Sequence, residues 1–203
     1  GVFGVSYTVL YVLILLVTSG LPSAVSRFVA AHQGSSAAIK VMALKIQVIA
    51  SLSAAVLYAI GAGVVAHGLS DPGLAPYLRI SALAIPVHAL LYVYLGYLGG
   101  LQYFSRQAAV TAAYGAGKLT MVALLGYVAG VLGALAGLVL APLAAMLLGI
   151  RLSSRSSTKP GPAAPRALSL IVFAVPLTIL AAALQLLLAI DLFLVKALLR
   201  NDI

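Results

Sequence analysis

The chain reads as an all-α integral membrane protein, a bundle of six transmembrane helices. Three observations predict this class. Of the 203 residues, 64% are apolar and only 7% are charged, against about 25% charged in soluble domains, and the mean hydropathy is +1.19. Such a composition cannot cover a water-facing surface. Six apolar runs recur at close to the roughly 20 residues that a ~30 Å hydrocarbon core requires of a helix. The basic residues fall mostly between those runs, where they set topology. Twelve Lys/Arg against three acids give a formal charge of +9, which in a soluble protein would suggest nucleic acid. Placed between apolar runs it does not, and nucleic acid is not an expected partner. The absence of cysteine excludes disulfides and thiol chemistry.

The first span is expected at 2–18. It ends at the seam "TSGLPSAVSRFVAAHQG" (18–34), where Pro22 suits the first turn of a new or bent helix. Ser23, Ser26, Ala30 and Ala31 would let helices approach closely, and Arg27 reaches either lipid headgroups, as an interfacial anchor, or a cavity. The second span, 41–66, stops before the turn-like "GLSDPGLAP" (68–76), and the third, 80–101, before "QYFSRQ" (102–107). The fourth and fifth, 108–127 and 131–150, are joined by the short glycine-rich "GYVAGVLG". A basic Ser/Pro-rich segment, "RLSSRSSTKPGPAAPR" (151–166), precedes the sixth span at 167–190. Prolines and glycines inside these runs are tolerated in lipid when neighbouring helices satisfy the freed backbone groups.

Putting the 18–34 seam in the cytoplasm gathers Arg27, Lys40, Lys45, Arg106, Arg151, Arg155, Lys159 and Arg166 on that side, leaving Arg79, Lys196 and Arg200 outside. The bias makes 151–166 a cytoplasmic linker. The chain opens on Gly1 with neither a basic n-region nor a small-residue cleavage site, so a signal peptide is not expected. Both ends read as those of a fragment of a longer chain.

Chemistry should reside in the few polar residues inside the spans. Lys118 lies near the middle of the fourth, where a charge costs roughly 2.5–3.5 kcal/mol on insertion scales, so it should face a bundle interior or water. Thr111, Tyr114 and Lys118 share one helix face by their spacing. That stripe either lines a cavity in which Lys118 attracts an anionic headgroup, or Lys118 pairs with a second lobe outside this chain or snorkels to the interface. His88 and Tyr92, with Gly96, Gly99 and Tyr103, form a second stripe, able to stack on sugar rings or simply to pack between helices. Gly96/Gly100, Gly126/Gly130 and Gly133/Gly137 are small-xxx-small pairs that permit close helix contact. In the sixth span Asp191 could bind a coupling cation, pair with an arginine or cap the membrane exit, with Gln185 deeper in the same helix.

"GAGKLT" (115–120) imitates the end of a phosphate-binding loop, but Ala112 replaces the first glycine, Leu119 replaces the hydroxyl residue and no strand precedes it. An ATPase is rejected. The three acids Asp71, Asp191 and Asp202 are isolated in sequence, whereas membrane sugar transferases need paired carboxylates. Neither an enzyme, a metal site nor any other cofactor is expected.

Three stretches resemble one family. "TSGLPSAVSRFVA" is similar to the G-[LI]-P-x-A-[VI]-S-[KR]-x-V-A segment of the polysaccharide-type flippases, in the multidrug/oligosaccharidyl-lipid/polysaccharide exporter superfamily, with the stage V sporulation protein B branch most similar in flavour. "LRISALAIPVHALLYVYLGYLGGLQYFSRQAAV" (78–110) resembles that family's fourth helix and following loop, and "IDLFLVKALLRND" (190–202) the end of its seventh. Leu95 departs from the pattern, since relatives often carry arginine there.

The resemblance implies twelve to fourteen helices in two lobes about a cavity, of which this chain would supply roughly one lobe. Residues 1–150 would be five helices of the N-terminal lobe, 151–166 the linker, and 167–203 the first helix of the second lobe. It implies a multi-pass protein of the bacterial cytoplasmic membrane that flips a lipid-linked oligosaccharide or polysaccharide precursor by alternating access. Its partners would be membrane lipids, the lipid-linked glycan and a coupling cation. A cation-coupled multidrug antiporter of the same superfamily and a non-transporting membrane subunit are the alternatives.

Overall fold

The computed structural model describes residues 2–68, 71–154 and 165–199. Among these there is no strand. The elements are α1 (Val2–Ala31), α2 (Ser36–Gly68), α3 (Ala75–Ser81), α4 (Ala84–Gly100), α5 (Phe104–Ser154) and α6 (Ala167–Leu199), with single 3-10 turns at Gln33–Ser35 and Pro72–Leu74. Among the described residues, five helical stretches are long and apolar enough to cross a membrane: Leu10–Ala31, Gln33–Gly68, Pro72–Gly100, Phe104–Ser154 and Ala167–Gln185. The count differs from the expected six because the fourth and fifth runs join in one element.

That element, α5, is 51 residues long, or about 76 Å if straight, more than twice the hydrocarbon thickness. It is not straight. Ala129 (φ −124°, ψ 17°) and Gly130 (φ 61°, ψ −140°) break it, and the second of these conformations is open to glycine at little cost. The two limbs then run back along each other. Gly133 packs on the Leu125 carbonyl, a Cβ on Gly137 would stand 2.8 Å from Val122 Cα, and one on Gly126 3.4 Å from Ala134 Cβ. The predicted Gly133/Gly137 pair is thus the seam of an antiparallel hairpin, and Gly130 is its turn.

The first seam resolves differently from expectation. α1 does not end near Thr18; it continues through Pro22 to Ala31. Proline removes one backbone hydrogen bond, the one that would have gone to the Thr18 carbonyl, and crowds the preceding turn; side chains bond other carbonyls on either side of it. Gln47 of α2 donates from Nε2 to the Val17 carbonyl at 2.9 Å, while the Thr18 and Ser23 hydroxyls donate to the Ile14 and Ser19 carbonyls. The small residues serve contacts on two sides. Gly20 meets Thr178 and Ala174 of α6, Gly96 of α4 meets the Pro22 carbonyl, and a Cβ on Gly100 would stand 2.6 Å from the Ser26 carbonyl. Of the residues expected to permit this approach, Ser23, Ala30 and Ala31 are exposed; the buried ones are Ala24, Val25 and Val29.

Helix α4 lies centrally, against α1, α2 and α5, and α1 in turn holds α6. Pro86 sits in the first turn of α4, after the Ala82–Leu83 turn that separates it from α3, so it opens a helix rather than bending one. Three apolar clusters make the core. One joins Leu10 and Ile14 to Ala62, Leu78 and Leu135, a second joins Val25 and Val29 to Ile39, Tyr97 and Leu170, and a third joins Leu91 and Leu98 to Val110 and Ala145. On α2 the buried positions include Ala43, Ser51, Ala62 and Ala66, whereas Ile49, Leu57, Ile60 and Val64 are exposed. Small residues inside and large aliphatics outside invert the pattern of a soluble helix; with lipid outside, close packing of small side chains holds the helices together.

Six of the described basic residues fall toward one end, apart from Arg79 on α3 and Lys118 within α5. Arg27 closes α1, Lys40 and Lys45 open α2, Arg106 opens α5, Arg151 closes it and Arg166 precedes α6. Contacts tie that end together: Arg106 donates to the Leu152 carbonyl at 3.1 Å, and Lys40 lies 4.7 Å from the Tyr97 ring centre. Arg155 and Lys159, with most of the expected linker, lie outside the described residues.

Candidate functional site: a polar cluster between two spans

The cluster forms where α4 crosses the first limb of α5. His88 is one turn into α4 and 5% exposed. Its Nδ1 is 2.8 Å from the Ala84 carbonyl. A carbonyl can only accept, so Nδ1 carries the hydrogen; in the neutral ring Nε2 is then the acceptor. Tyr114 of α5 supplies the donor, its hydroxyl 3.0 Å from Nε2, with the two rings edge to face at 5.6 Å. Lys118 is half-buried one turn further along α5. His88 lies twelve residues before Gly100 and Lys118 twelve after Arg106. Both therefore stand about 18 Å along their helices from the basic end, well inside a ~30 Å core.

The remaining expected residues are placed as follows. Tyr92 is half-buried one turn beyond His88. Thr111, on the same limb as Tyr114, is exposed and its hydroxyl donates to the Gln107 carbonyl of its own helix at 3.0 Å. Arg27 is exposed, its guanidinium 4.5 Å from the Phe173 ring centre of α6, away from α5. Gln185 is half-buried on α6. Asp191 lies on α6 in a stretch whose side chains fall outside the described residues. The structure therefore brings together His88, Tyr114 and Lys118, and sets Arg27 in a different place. The stripe from His88 to Tyr103 divides between partners: His88 meets Tyr114, Gly96 meets α1, and a Cβ on Gly99 would stand 3.2 Å from the Gln107 side chain.

Two polar features were not anticipated. Gln47, 2% exposed, ties α2 to the α1 backbone at Val17; its spacing with Ala43 and Ser51 on one face of α2 was the available signal. Tyr58 of α2 and Ser81 of α3 share a buried hydrogen bond of 3.3 Å, a pairing of distant segments that no local pattern announces. Among the described residues no group of three or more His, Cys, Asp or Glu could hold a metal.

A helical bundle with apolar outer faces and a charged and aromatic cluster buried between two spans defines a multi-pass membrane protein. The chain matches the family model described as polysaccharide biosynthesis protein over residues 1–203 and belongs to that family, within the polysaccharide exporter superfamily. Membership supports a membrane role in polysaccharide-related transport. No curated protein and no solved structure matches the chain.

Proposed function

We propose that the chain is a transport unit that flips a lipid-linked oligosaccharide or polysaccharide precursor across the bacterial cytoplasmic membrane, with the basic end facing the cytoplasm. It crosses the bilayer six times, the α5 hairpin counting as two crossings. The observation that carries the reading is the His88–Tyr114–Lys118 cluster, in a chain of this family. A sugar headgroup bearing phosphate cannot cross hydrocarbon bare, since each polar group costs several kcal/mol when unpaired. A lysine one helical turn from the Tyr114–His88 pair offers what such a headgroup requires: a cation for the phosphate, and a hydroxyl and ring faces for the sugars. Movement of helices about the cluster would open it first to one side and then to the other. The polyprenyl tail stays in lipid throughout. The chemistry is displacement without bond making, so we assign no enzymatic step.

The test is vesicles reconstituted with the protein and loaded with a fluorescent lipid-linked sugar, scored by its arrival in the outer leaflet. Transport should be protein-dependent and should fall at least tenfold in Lys118→Gln at unchanged expression, roughly the 1.4 kcal/mol equivalent of one lost charged contact. Full transport by Lys118→Gln rejects the role of the cluster, and absence of any transport by the wild type favours a non-transporting subunit.

A further inference from the structure

A second feature lies apart from the polar cluster. Between α1 and α6 runs an open groove of about 600 Å³ lined by Phe28 of α1 and by Leu168, Ser169, Val172, Phe173, Pro176 and Leu177 of α6. Its walls are built, not incidental. Gly20 lets α6 close on α1, and Phe28 meets Phe173 edge to face at 6.0 Å. The exposed Arg27 lies over Phe173, its guanidinium carbon 4.5 Å from the ring centre. Arg166 stands exposed immediately before α6 at the same end.

We propose that this groove seats one acyl chain of an anionic membrane phospholipid, with the phosphate held by Arg27 and Arg166. Length and charge argue for this occupant. Leu168 to Leu177 is about 14 Å of helix, half of a ~30 Å core, so the groove is one leaflet deep and opens at the basic end of the bundle. An apolar slot of that depth beneath two guanidinium groups complements a single chain beneath an anionic headgroup, and basic pockets between transmembrane helices bind such headgroups. The patch on α2 lined by Val41, Leu44, Lys45, Val48 and Ile49 also carries a cation, but all of its lining comes from a single helix, with no ring from a second helix against it. The proposal does not depend on which substrate the transporter moves.

The experiment reconstitutes the whole chain in phosphatidylcholine vesicles containing a tracer lipid with a photoreactive group midway along one acyl chain. The tracer is either phosphatidylglycerol or phosphatidylcholine, and labelled residues are mapped by mass spectrometry. The anionic tracer should label Val172 and Pro176 more than the zwitterionic one, and Arg27→Gln should cut the excess roughly fivefold, the worth of one basic residue at an anionic surface. Arg27→Lys should retain most of it. Labelling of Val48 and Ile49 serves as the internal control for folding and should not change. Equal labelling by the two tracers, an excess that survives the Arg27→Gln, Arg166→Gln double variant, equal enrichment on α2, or full competition by inorganic phosphate would each overturn the proposal. Absence of label from the groove would do so too, since it would mean that protein covers it.

Discussion

At the scale of single residues, the His88–Tyr114 hydrogen bond is the most exposed to test. Tyr114→Phe removes the donor and leaves Nε2 of His88 without it inside the membrane. Interhelical hydrogen bonds in membranes average about 0.6 kcal/mol, with a maximum near 1.7, so the variant should lose on the order of 1 kcal/mol in a detergent unfolding titration. In a His88→Phe background the same substitution should change little, because the partner is already gone. Equal losses in both backgrounds would mean that the tyrosine stabilises through ring packing alone. Spacing along each helix singled out His88, Tyr114 and Lys118 separately. Their meeting was illegible, since they lie up to thirty residues apart and the register between α4 and α5 is set by how Gly99 and Gly149 let the helices close.

At the scale of elements, the α5 hairpin depends on one backbone conformation. Gly130 has open space around it but a positive φ, so Gly130→Ala should cost about 1–3 kcal/mol from strain rather than from a clash. Gly115, helical and equally open, is the control: Gly115→Ala should be neutral or stabilising by up to ~1 kcal/mol. A neutral Gly130→Ala would mean the limbs are joined by a looser turn. The α1–α4 contact fails for the opposite reason. Gly100→Leu must displace the Ser26 carbonyl, and thermal stability should drop well beyond that of Gly115→Leu. The join itself was legible from "GYVAGVLG". The continuity of α1 was not, because Pro22 reads as a start signal, and the contacts around it come from α4 and α6, distant in sequence.

At the scale of the whole molecule, the alternation of ends is the claim to check. The chain contains no cysteine, so single cysteines report cleanly. Cysteines at Ser35 and Ser154 should react with a membrane-impermeant maleimide from one side of sealed vesicles, and those at Asp71 and Ala129 only from the other. Reaction of Ala129→Cys from the same side as Ser35→Cys would mean that α5 does not cross twice. With the basic end cytoplasmic, Ser35 and Ser154 are the inner pair.

Composition and spacing by themselves determined that this chain lives in lipid, where most helices begin and end, and on which side the cations gather. These are one-dimensional properties, because a hydrocarbon slab selects segments by length and polarity regardless of their neighbours. Family membership was likewise legible in short stretches such as "GLPSAVSRFVA". Which faces meet was decided only in three dimensions. Ser23 and Ala24 are similar in size, yet one is exposed and the other buried, because α4 and α6 approach only one side of α1. In lipid the inner and outer faces of a helix differ little in hydrophobicity, so the orientation of each helix is carried by close contacts of small residues with particular partners, and those partners are distant in sequence.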